Sequence, residues 1–423
     1  MASQRRVAVA MDIDKPFRHH TLTFAGIHDY AEQQENWHLI VDDWADRTLP
    51  ASADAASPYD GMIGRITKLG ADRARRLDVP VVNVWFNSPA RGLPGVFIDY
   101  DECGRLMAEH LLARGFRNFG VLRHAADRAT RIMGNAFEKA VRDADCDDFS
   151  KIVLAADEKA QSRISGQCDL SDYQQWKHAM RAIDQWMENW SVPIGLYIYD
   201  VANARVVIEK CAARGWRVPE DVAIVAGKNE ETQCERPSPS MTSLEMPNQQ
   251  IGYQAARLLD ELMDEKEKRK RKRKGKKKGK RKKAVEPEPK TTLLLPVGIV
   301  GRQSTDFHAV DDNSVRRALG YMDANLHRPI HVEDIADYVE VSRRTLATRF
   351  RDHLGRSIAS ELQRLRIERV KRELTGTDDS IYKIAPRTGY ASVRTLNDVF
   401  IKAVGCTPRE YRKRAQATNR AGV

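Results

Sequence analysis

Residues 335–350, IADYVEVSRRTLATRF, return in altered form at residues 384–400, IAPRTGYASVRTLNDVF. In each copy apolar residues mark a short helix, a tight turn and a second helix. Ile335, Ala336 and Val341 lead to Leu346 and Phe350, and Ile384, Ala385 and Tyr390 lead to Leu396, Val399 and Phe400. That spacing is the pattern of a helix-turn-helix. Ala336 and Ala385 lie 49 residues apart, so the pair suits one rigid unit that reads two successive stretches of major groove. An all-α DNA-binding domain is therefore expected at this end of the chain.

The residues that point away from the core follow from the helical period. With Leu346 and Phe350 inward, Arg343, Arg344, Ala347, Thr348 and Arg351 occupy other sides of the first reading helix. In the second copy the outward set is Ser392, Val393, Arg394, Asn397, Asp398 and Lys402. Arginine can fork onto guanine O6 and N7, worth about 1–3 kcal/mol of discrimination, or it can bind phosphate and set register only. Asn397 suits adenine, whereas Asp398 repels phosphate and could pair with Arg394. Between the copies Ile358 to Leu374 reads as one helix of 17 residues, about 26 Å long at about 1.5 Å per residue. Such a strut could hold its readers about one DNA turn, roughly 34 Å, apart. Glu340 stands in the first turn, where a left-handed backbone costs a side-chain-bearing residue something. Pro386 lies in the first helix of the second copy and should kink it, leaving that reader tilted or weaker.

A chain of 423 residues, 42% hydrophobic, has room for two or three domains with sizeable cores. Its longest apolar stretch, Leu293 to Val300, falls well short of the roughly 20 residues that a membrane helix requires. Arg5 and Arg6 lead straight into a strand with no secretory core or cleavage site, so a cytoplasmic, nucleoid-associated location is expected. Cys103, Cys146, Cys168, Cys211, Cys234 and Cys406 are scattered, with neither a CxxC pair nor zinc spacing, and read as reduced and structural.

The net charge of +11 is unevenly spread. Lys266 to Lys283 holds 15 basic residues and one acid, and Asp311 to Val423 holds 22 basic and 15 acidic residues. The remainder is acidic, which divides the chain into a body that does not bind DNA and a modestly basic portion that does.

Residues before 300 alternate strands and helices. Strand cores are expected at Val7–Met11, Trp37–Val41, Gly61–Gly64, Val79–Val84, Phe119–Leu122, Ile152–Leu154, Ile194–Tyr199, Val222–Ala226 and Leu293–Val300. Amphipathic helices fall between them, among them Cys103–Ala113, Ala202–Ala213 and Ile251–Met263. Parallel sheets covered by helices follow, with ligands at the carboxyl ends of the strands.

The string Gly215-Trp216-Arg217-Val218-Pro219-Glu220-Asp221-Val222 resembles the helix-to-strand turn of LacI/GalR-type regulators. Val79-Pro80-Val81-Val82, Arg131, Gly134, Asp200, Gly252-Tyr253-Gln254-Ala255-Ala256 and Arg302-Gln303-Ser304-Thr305 agree in order. The resemblance implies a two-lobed, periplasmic-binding-protein-like sensor. From Val315 to Arg414 the chain resembles the AraC/XylS-type DNA-binding domain, through Arg366, Glu368, Arg369, Leu374 and the string Gly405-Cys406-Thr407-Pro408-Arg409-Glu410-Tyr411-Arg412. The N-terminal headpiece of the LacI type is not expected here, and the C-terminal repeat would take its place.

Together the two resemblances imply a sequence-specific transcriptional regulator, an activator of carbohydrate catabolism genes answering to a xylose-like or related sugar. Promoter DNA, RNA polymerase and a second copy of the chain are its implied partners. Residues 1–307 would form the sensor, with a disordered polybasic loop at 265–290. Residues 308–314 would be a linker, 315–414 the reading domain and 415–423 a flexible tail.

DNA contacts are expected from Arg343, Arg344, Thr348, Arg351, Ser392, Arg394, Asn397 and Lys402. By the resemblance, Phe17 would stack on a sugar face and Arg131 and Asp200 would bind hydroxyls, with Trp85 a further ligand residue. Plainer readings stand beside these: Phe17 as loop packing, Arg131 as a surface ion pair and Asp200 as a helix cap. Lys228 stands where sugar-binding relatives place an aspartate; a lysine donates and cannot accept, which points to a sugar acid or phosphosugar if it faces the ligand. No catalytic residue, metal site or cofactor is expected, since Walker, GxGxxG, HExxH and GxSxG patterns are missing. The alternative is a non-specific nucleic-acid binder that works through the polybasic loop with a degenerate sensor, as against that loop being a tolerated expansion.

Overall fold

A computed structural model describes residues 4–14, 17–34, 36–125, 127–146, 148–154, 170–274, 290–306, 312–377 and 379–413. Five strands open the chain: β1 (Arg5–Ala10), β2 (Trp37–Val41), β3 (Gly61–Gly64), β4 (Val81–Asn83) and β5 (Gly95–Ile98). Then come β6 (Asn118–His124), β7 (Phe149–Leu154), β8 (Ile194–Ile198), β9 (Val222–Ala226), β10 (Thr242–Glu245), β11 (Thr291–Leu294) and β12 (Gly298–Val300). They form two six-stranded sheets, ordered β11-β5-β4-β3-β1-β2 and β12-β10-β9-β8-β6-β7. The chain divides accordingly into two units, one built mainly from Met1–Asp99 with Pro247–Leu295 and the other from Tyr100–Met246 with Pro296–Ala417.

In the first unit every pairing is parallel. Side-chain alternation divides the apolar residues between two cores: Val7, Val9 and Ile63 enter one, and Ala8 and Met62 enter the other. Helices Arg18–Glu32 and Asn248–Lys274 cover the first core. Glycine lets them approach closely. A Cβ on Gly26 would sit 1.8 Å from the Gln249 carbonyl oxygen, and one on Gly252 would sit 1.9 Å from that of Thr23.

A half-buried carboxylate ties the same helix to the sheet. Asp260 receives Arg5 Nη1 at 2.5 Å, Trp37 Nε1 at 3.0 Å and the Tyr30 hydroxyl at 3.0 Å. Burial pushes the Tyr30 hydroxyl up, and the charge of Asp260 adds to the effect.

The second sheet is parallel except for β12, which runs antiparallel to β10. Strands β8 and β9 are buried along their whole length, as strands covered on both faces must be. The five cysteines among the described residues, Cys103, Cys146, Cys211, Cys234 and Cys406, are free and buried. Burial pushes the Cys211 thiol up to about 12. Cys168 lies outside the described residues.

The same unit contains six further helices: Asn313–Asn325, Val332–Val339, Arg343–Leu354, Ile358–Gly376, Ile381–Arg387 and Val393–Val404. They pack around two small cores. Leu319, Ile335, Leu346, Phe350, Leu362 and Leu365 belong to the first, and Ile367, Val370, Leu374, Ile384, Leu396 and Phe400 belong to the second.

Two sequence expectations change here. Leu293–Val300 is two strands rather than one: β11 ends at Leu294, Pro296 interrupts the pairing, and β12 joins the other sheet. Proline has no amide to give a ladder. The expected disordered loop from 265 begins instead as helix, since Asn248–Lys274 runs well into the basic run. Glu265 pairs with Arg269 at 3.5 Å and Glu267 with Arg271 at 3.8 Å, each acid one turn before its cation, which supports the helix. Lysine and arginine are themselves good helix formers. The rest of that loop, 275–289, most of the expected linker and the tail 415–423 lie outside the described residues.

The glycine contact makes a quantitative claim. Gly26→Ala should force the two helices apart and destabilise the protein by about 1–3 kcal/mol, the usual range for overpacking. Urea denaturation would measure it, and an unchanged midpoint would refute the close approach.

Candidate nucleic-acid interface and ligand residues

The first copy of the repeated pattern folds as helix Val332–Val339, a turn and helix Arg343–Leu354; the second as Ile381–Arg387, a turn and Val393–Val404. The two reading helices are built alike. Each has 12 residues and a serine cap, Ser342 accepting from the Thr345 amide and Ser392 from the Thr395 amide, both at 3.1 Å. Each ends on a left-handed glycine, Gly355 at φ 67° and Gly405 at φ 77°. Pro386 is the last but one residue of its helix, and the chain leaves the helix after Arg387. The expected kink becomes a termination, closed by the Tyr390 amide bonding to the Ala385 carbonyl at 3.0 Å.

The copies differ in their turns. Four residues beyond each alanine the backbone turns left-handed, at Glu340 with φ 60° and at Gly389 with φ 77°. From there to the capping serine the second turn is one residue longer. Gly389 is also crowded, since a Cβ there would lie 2.7 Å from Arg366 Nε and 2.9 Å from the Leu326 carbonyl oxygen. Arg366 donates to the carbonyls of Arg328 at 3.3 Å and Ile330 at 3.2 Å, and its guanidinium lies 6.0 Å from the centre of the Tyr390 ring. One arginine thus ties the first copy's approach to the second copy's turn.

Exposure sorts the DNA candidates. Arg344, Thr348 and Arg351 are exposed on the first reading helix, as are Arg394 and Lys402 on the second. Arg343 is exposed too but is drawn to Glu333 at 2.6 Å. Asn397 is half-buried, and Ser392 is occupied as the cap. Arg394 forms no ion pair with Asp398 among the described residues, so that expected pairing is absent.

In the first unit the ligand candidates gather at the carboxyl ends of the strands. Phe17 caps helix Arg18–Glu32 by position, its ring 5.6 Å from that of His19 and 5.3 Å from that of His20. Trp85 follows β4 and lies under the Arg65 guanidinium, 4.6 Å from ring centre to carbon. Arg65 reaches His20 Nε2 at 3.2 Å, and His20 Nδ1 meets the Asp12 carbonyl at 2.6 Å. Sequence reading missed His20 and Arg65. The signal was available, because Arg65 directly follows β3, where parallel sheets present ligand-binding residues.

In the second unit Asp200 accepts from the Ala202 amide at 2.9 Å and caps helix Val201–Ala213. Arg131 is exposed on helix Arg128–Arg142. Lys228 holds its ammonium 4.6 Å from the centre of the Tyr199 ring. Burial pushes the Tyr199 hydroxyl well up, and the charges of Asp127 and Asp200 push it further. Next to Lys228, Asn229 Oδ1 accepts from Arg302 Nη2 and from Ser243 Oγ, each at 3.0 Å. Asn203 Nδ2 lies 3.3 Å from His124 Nε2. This unit therefore offers amide and imidazole groups that sequence reading passed over.

Residues 108–277 match a periplasmic binding protein-like domain, and residues 335–414 match a helix-turn-helix domain. The chain joins a periplasmic-binding-protein-like domain to a helix-turn-helix domain. The xylose operon regulatory protein of Escherichia coli (strain K12) is 28% identical over 237 residues, 56% of each chain. That of Haemophilus influenzae (strain ATCC 51907 / DSM 11121 / KW20 / Rd) is 29% identical over 239 residues, 56% of this chain and 57% of the relative. The matched stretch spans about half the length of these curated relatives. Among solved structures, the xylose-binding transcription activator xylR aligns over 97% of this chain and 98% of its own, with a TM-score of 0.54 and 22% identity. The regulator CelR in complex with cellobiose aligns over 72% of this chain and 86% of its own, with a TM-score of 0.50 and 17% identity. Both likenesses are of fold.

The two turns call for opposite substitutions. A side chain in left-handed backbone costs about 1–2 kcal/mol, and glycine gives back about 0.5–1 kcal/mol of that through its freer unfolded state. Glu340→Gly should therefore stabilise the protein by about 0.5–1 kcal/mol. Gly389→Ala should destabilise it by about 2–4 kcal/mol, adding strain to overpacking. Thermal melts of the two variants moving in the same direction would contradict this account of the turns.

Proposed function

We propose that this chain is a sugar-responsive, sequence-specific DNA-binding transcription regulator. The observation that carries the reading is the pair of equally built reading helices, each with a polar, exposed face and an apolar face committed to its own core. Arg344, Thr348 and Arg351 on the first helix, and Arg394, Asn397 and Lys402 on the second, are the side chains that would meet bases and phosphates. Arg343 would exchange Glu333 for DNA. Ser392 would act through its backbone and its cap.

The chain would work in the cytoplasm at the nucleoid, as a homodimer on promoter DNA, activating carbohydrate catabolism genes in contact with RNA polymerase. The names of its relatives support a pentose-like effector. Phe17 and Trp85 supply aromatic faces for a sugar ring, and Arg131, Lys228 and the surroundings of Asp200 supply polar contacts. A sugar acid is the second reading, favoured by Lys228 having an aromatic ring, and no carboxylate, as its partner among the described residues.

Duplexes selected from a random pool by the full-length chain should share one short motif in two parts. Arg344→Ala and Arg394→Ala should each weaken binding to that motif by about 5- to 150-fold and relax preference in one part only, the equivalent of about 1–3 kcal/mol. Recovery of no motif would refute the regulator. Xylose, glucuronate and a pentose phosphate should be compared by thermal shift, since an effector at 100 times its Kd adds about 2.7 kcal/mol. A response to the neutral sugar that survives Lys228→Met would dismiss the sugar acid.

A further inference from the structure

We infer that the basic end of helix Asn248–Lys274 is a docking surface for duplex DNA phosphates, sequence-independent and separate from the two reading helices. Lys268 to Lys274 are seven cations in succession, all within the helix. At about 1.5 Å of rise per residue the seven charges fall within about 11 Å of helix. With about 3.6 residues per turn, roughly half of them can face one duplex, which carries one negative charge per roughly 1.7 Å. No apolar or aromatic residue interrupts them.

The two acids that precede the run pair with two of its cations and with residues outside it. Glu265 binds Arg269 at 3.5 Å and Lys290 at 3.3 Å, and Glu267 binds Arg271 at 3.8 Å and Arg5 at 3.2 Å. Lys268 and Lys270 are exposed and have no ion-pair partner among the described residues. The helix is also firmly mounted. Asp260 and Asp264 hold Arg5 at 2.5 and 2.6 Å, and Lys266 reaches the carboxylate of Asp78 at 3.7 Å. A cationic helix on such a base would otherwise repel itself, and a polyanion alongside removes the repulsion.

Duplex DNA is the occupant that fits, and this rests on the regulator reading. A chain already held on DNA through its helix-turn-helix domain meets further phosphates at high effective concentration. Single-stranded RNA would call for aromatic platforms, which the run lacks. An anionic lipid surface would attract the charge but has no second element holding the chain to it as the helix-turn-helix domain holds it to DNA.

The test uses the full-length chain, a short random-sequence duplex and the duplex that the chain selects from a random pool. In one variant all seven cations become glutamine, from Lys268→Gln to Lys274→Gln, a change that keeps helix propensity. In a second, each lysine becomes arginine and each arginine lysine. If about half of the seven reach phosphate, the glutamine variant should show a salt slope on the random duplex shallower by about 3, with binding at low salt weakened at least about tenfold. Its motif preference should be unchanged, and its melting temperature should fall by no more than the loss of two exposed ion pairs allows, a few degrees at most. The exchanged variant should keep the original slope.

An unchanged slope in the glutamine variant overturns the proposal. So does a lost slope in the exchanged variant, or a greater loss of binding to RNA or to phosphatidylserine vesicles than to DNA. If the chain selects no motif, the regulator reading fails by itself, and the slope on the random duplex still decides this one.

Discussion

The helical domain depends on one shared element, helix Ile358–Gly376, which is built into two cores at once. Ile358, Leu362 and Leu365 enter the core under the first reading helix, and Ile367, Val370 and Leu374 enter the core under the second. A single rigid rod of 19 residues, about 28 Å long, therefore fixes the two readers relative to each other. At its start Glu361 is fully buried, held by Arg356 at 3.0 Å and Arg364 at 2.8 Å. A buried carboxylate is tolerable only because two cations meet it there, Arg364 donating hydrogen bonds from Nε at 3.1 Å and Nη2 at 2.8 Å and Arg356 adding charge, and loss of either partner would leave a charge stranded. The ion trio thus favours one packing of the rod over others of similar apolar area.

The α/β portion was legible where a strand carries its own apolar run. Trp37–Val41, Gly61–Gly64 and Val222–Ala226 have the same bounds in the sequence reading and in the fold. Gly95–Ile98 and Thr242–Glu245 were missed. They are four residues each, and the second spends its pattern on Thr242 and Ser243, whose hydroxyls bond to neighbouring segments. Hydrogen bonding of that kind leaves no hydrophobic trace to read. Leu293–Val300 failed for a different reason: periodicity registers apolar residues but not the sheet that receives them, and only Pro296 marked the break.

In the reading domain, positions set by helical period were legible and positions set by side-chain partners were not. Leu346, Phe350, Leu396 and Phe400 had to face inward, and they are fully buried. That Arg343 leans on Glu333, ten residues earlier, depends on the turn angle between two helices, which no local pattern encodes. Glu340 shows the limit from the other side. Its left-handed backbone could be anticipated from its place in the turn, yet only the structure shows the Val341 amide closing that turn onto the Ala336 carbonyl at 3.3 Å.

Charge pairing also explains how few free cations the two reading helices keep. Arg349 is taken up by Asp312, Arg364 by Glu361, Lys371 by Glu368, and Arg387 by Glu373 and Asp379. Arg344, Arg351, Arg394 and Lys402 are left on the two reading helices without ion-pair partners among the described residues. Four cations release few counterions, so the reading helices by themselves add little to the salt dependence of binding and rely on base contacts. Weak general attraction combined with sharp local reading slows the search for a site, because the protein spends little time on DNA between correct encounters. A separate cationic helix would supply general attraction without adding charge to the surface that discriminates, and so would leave specificity with the side chains of the two reading helices.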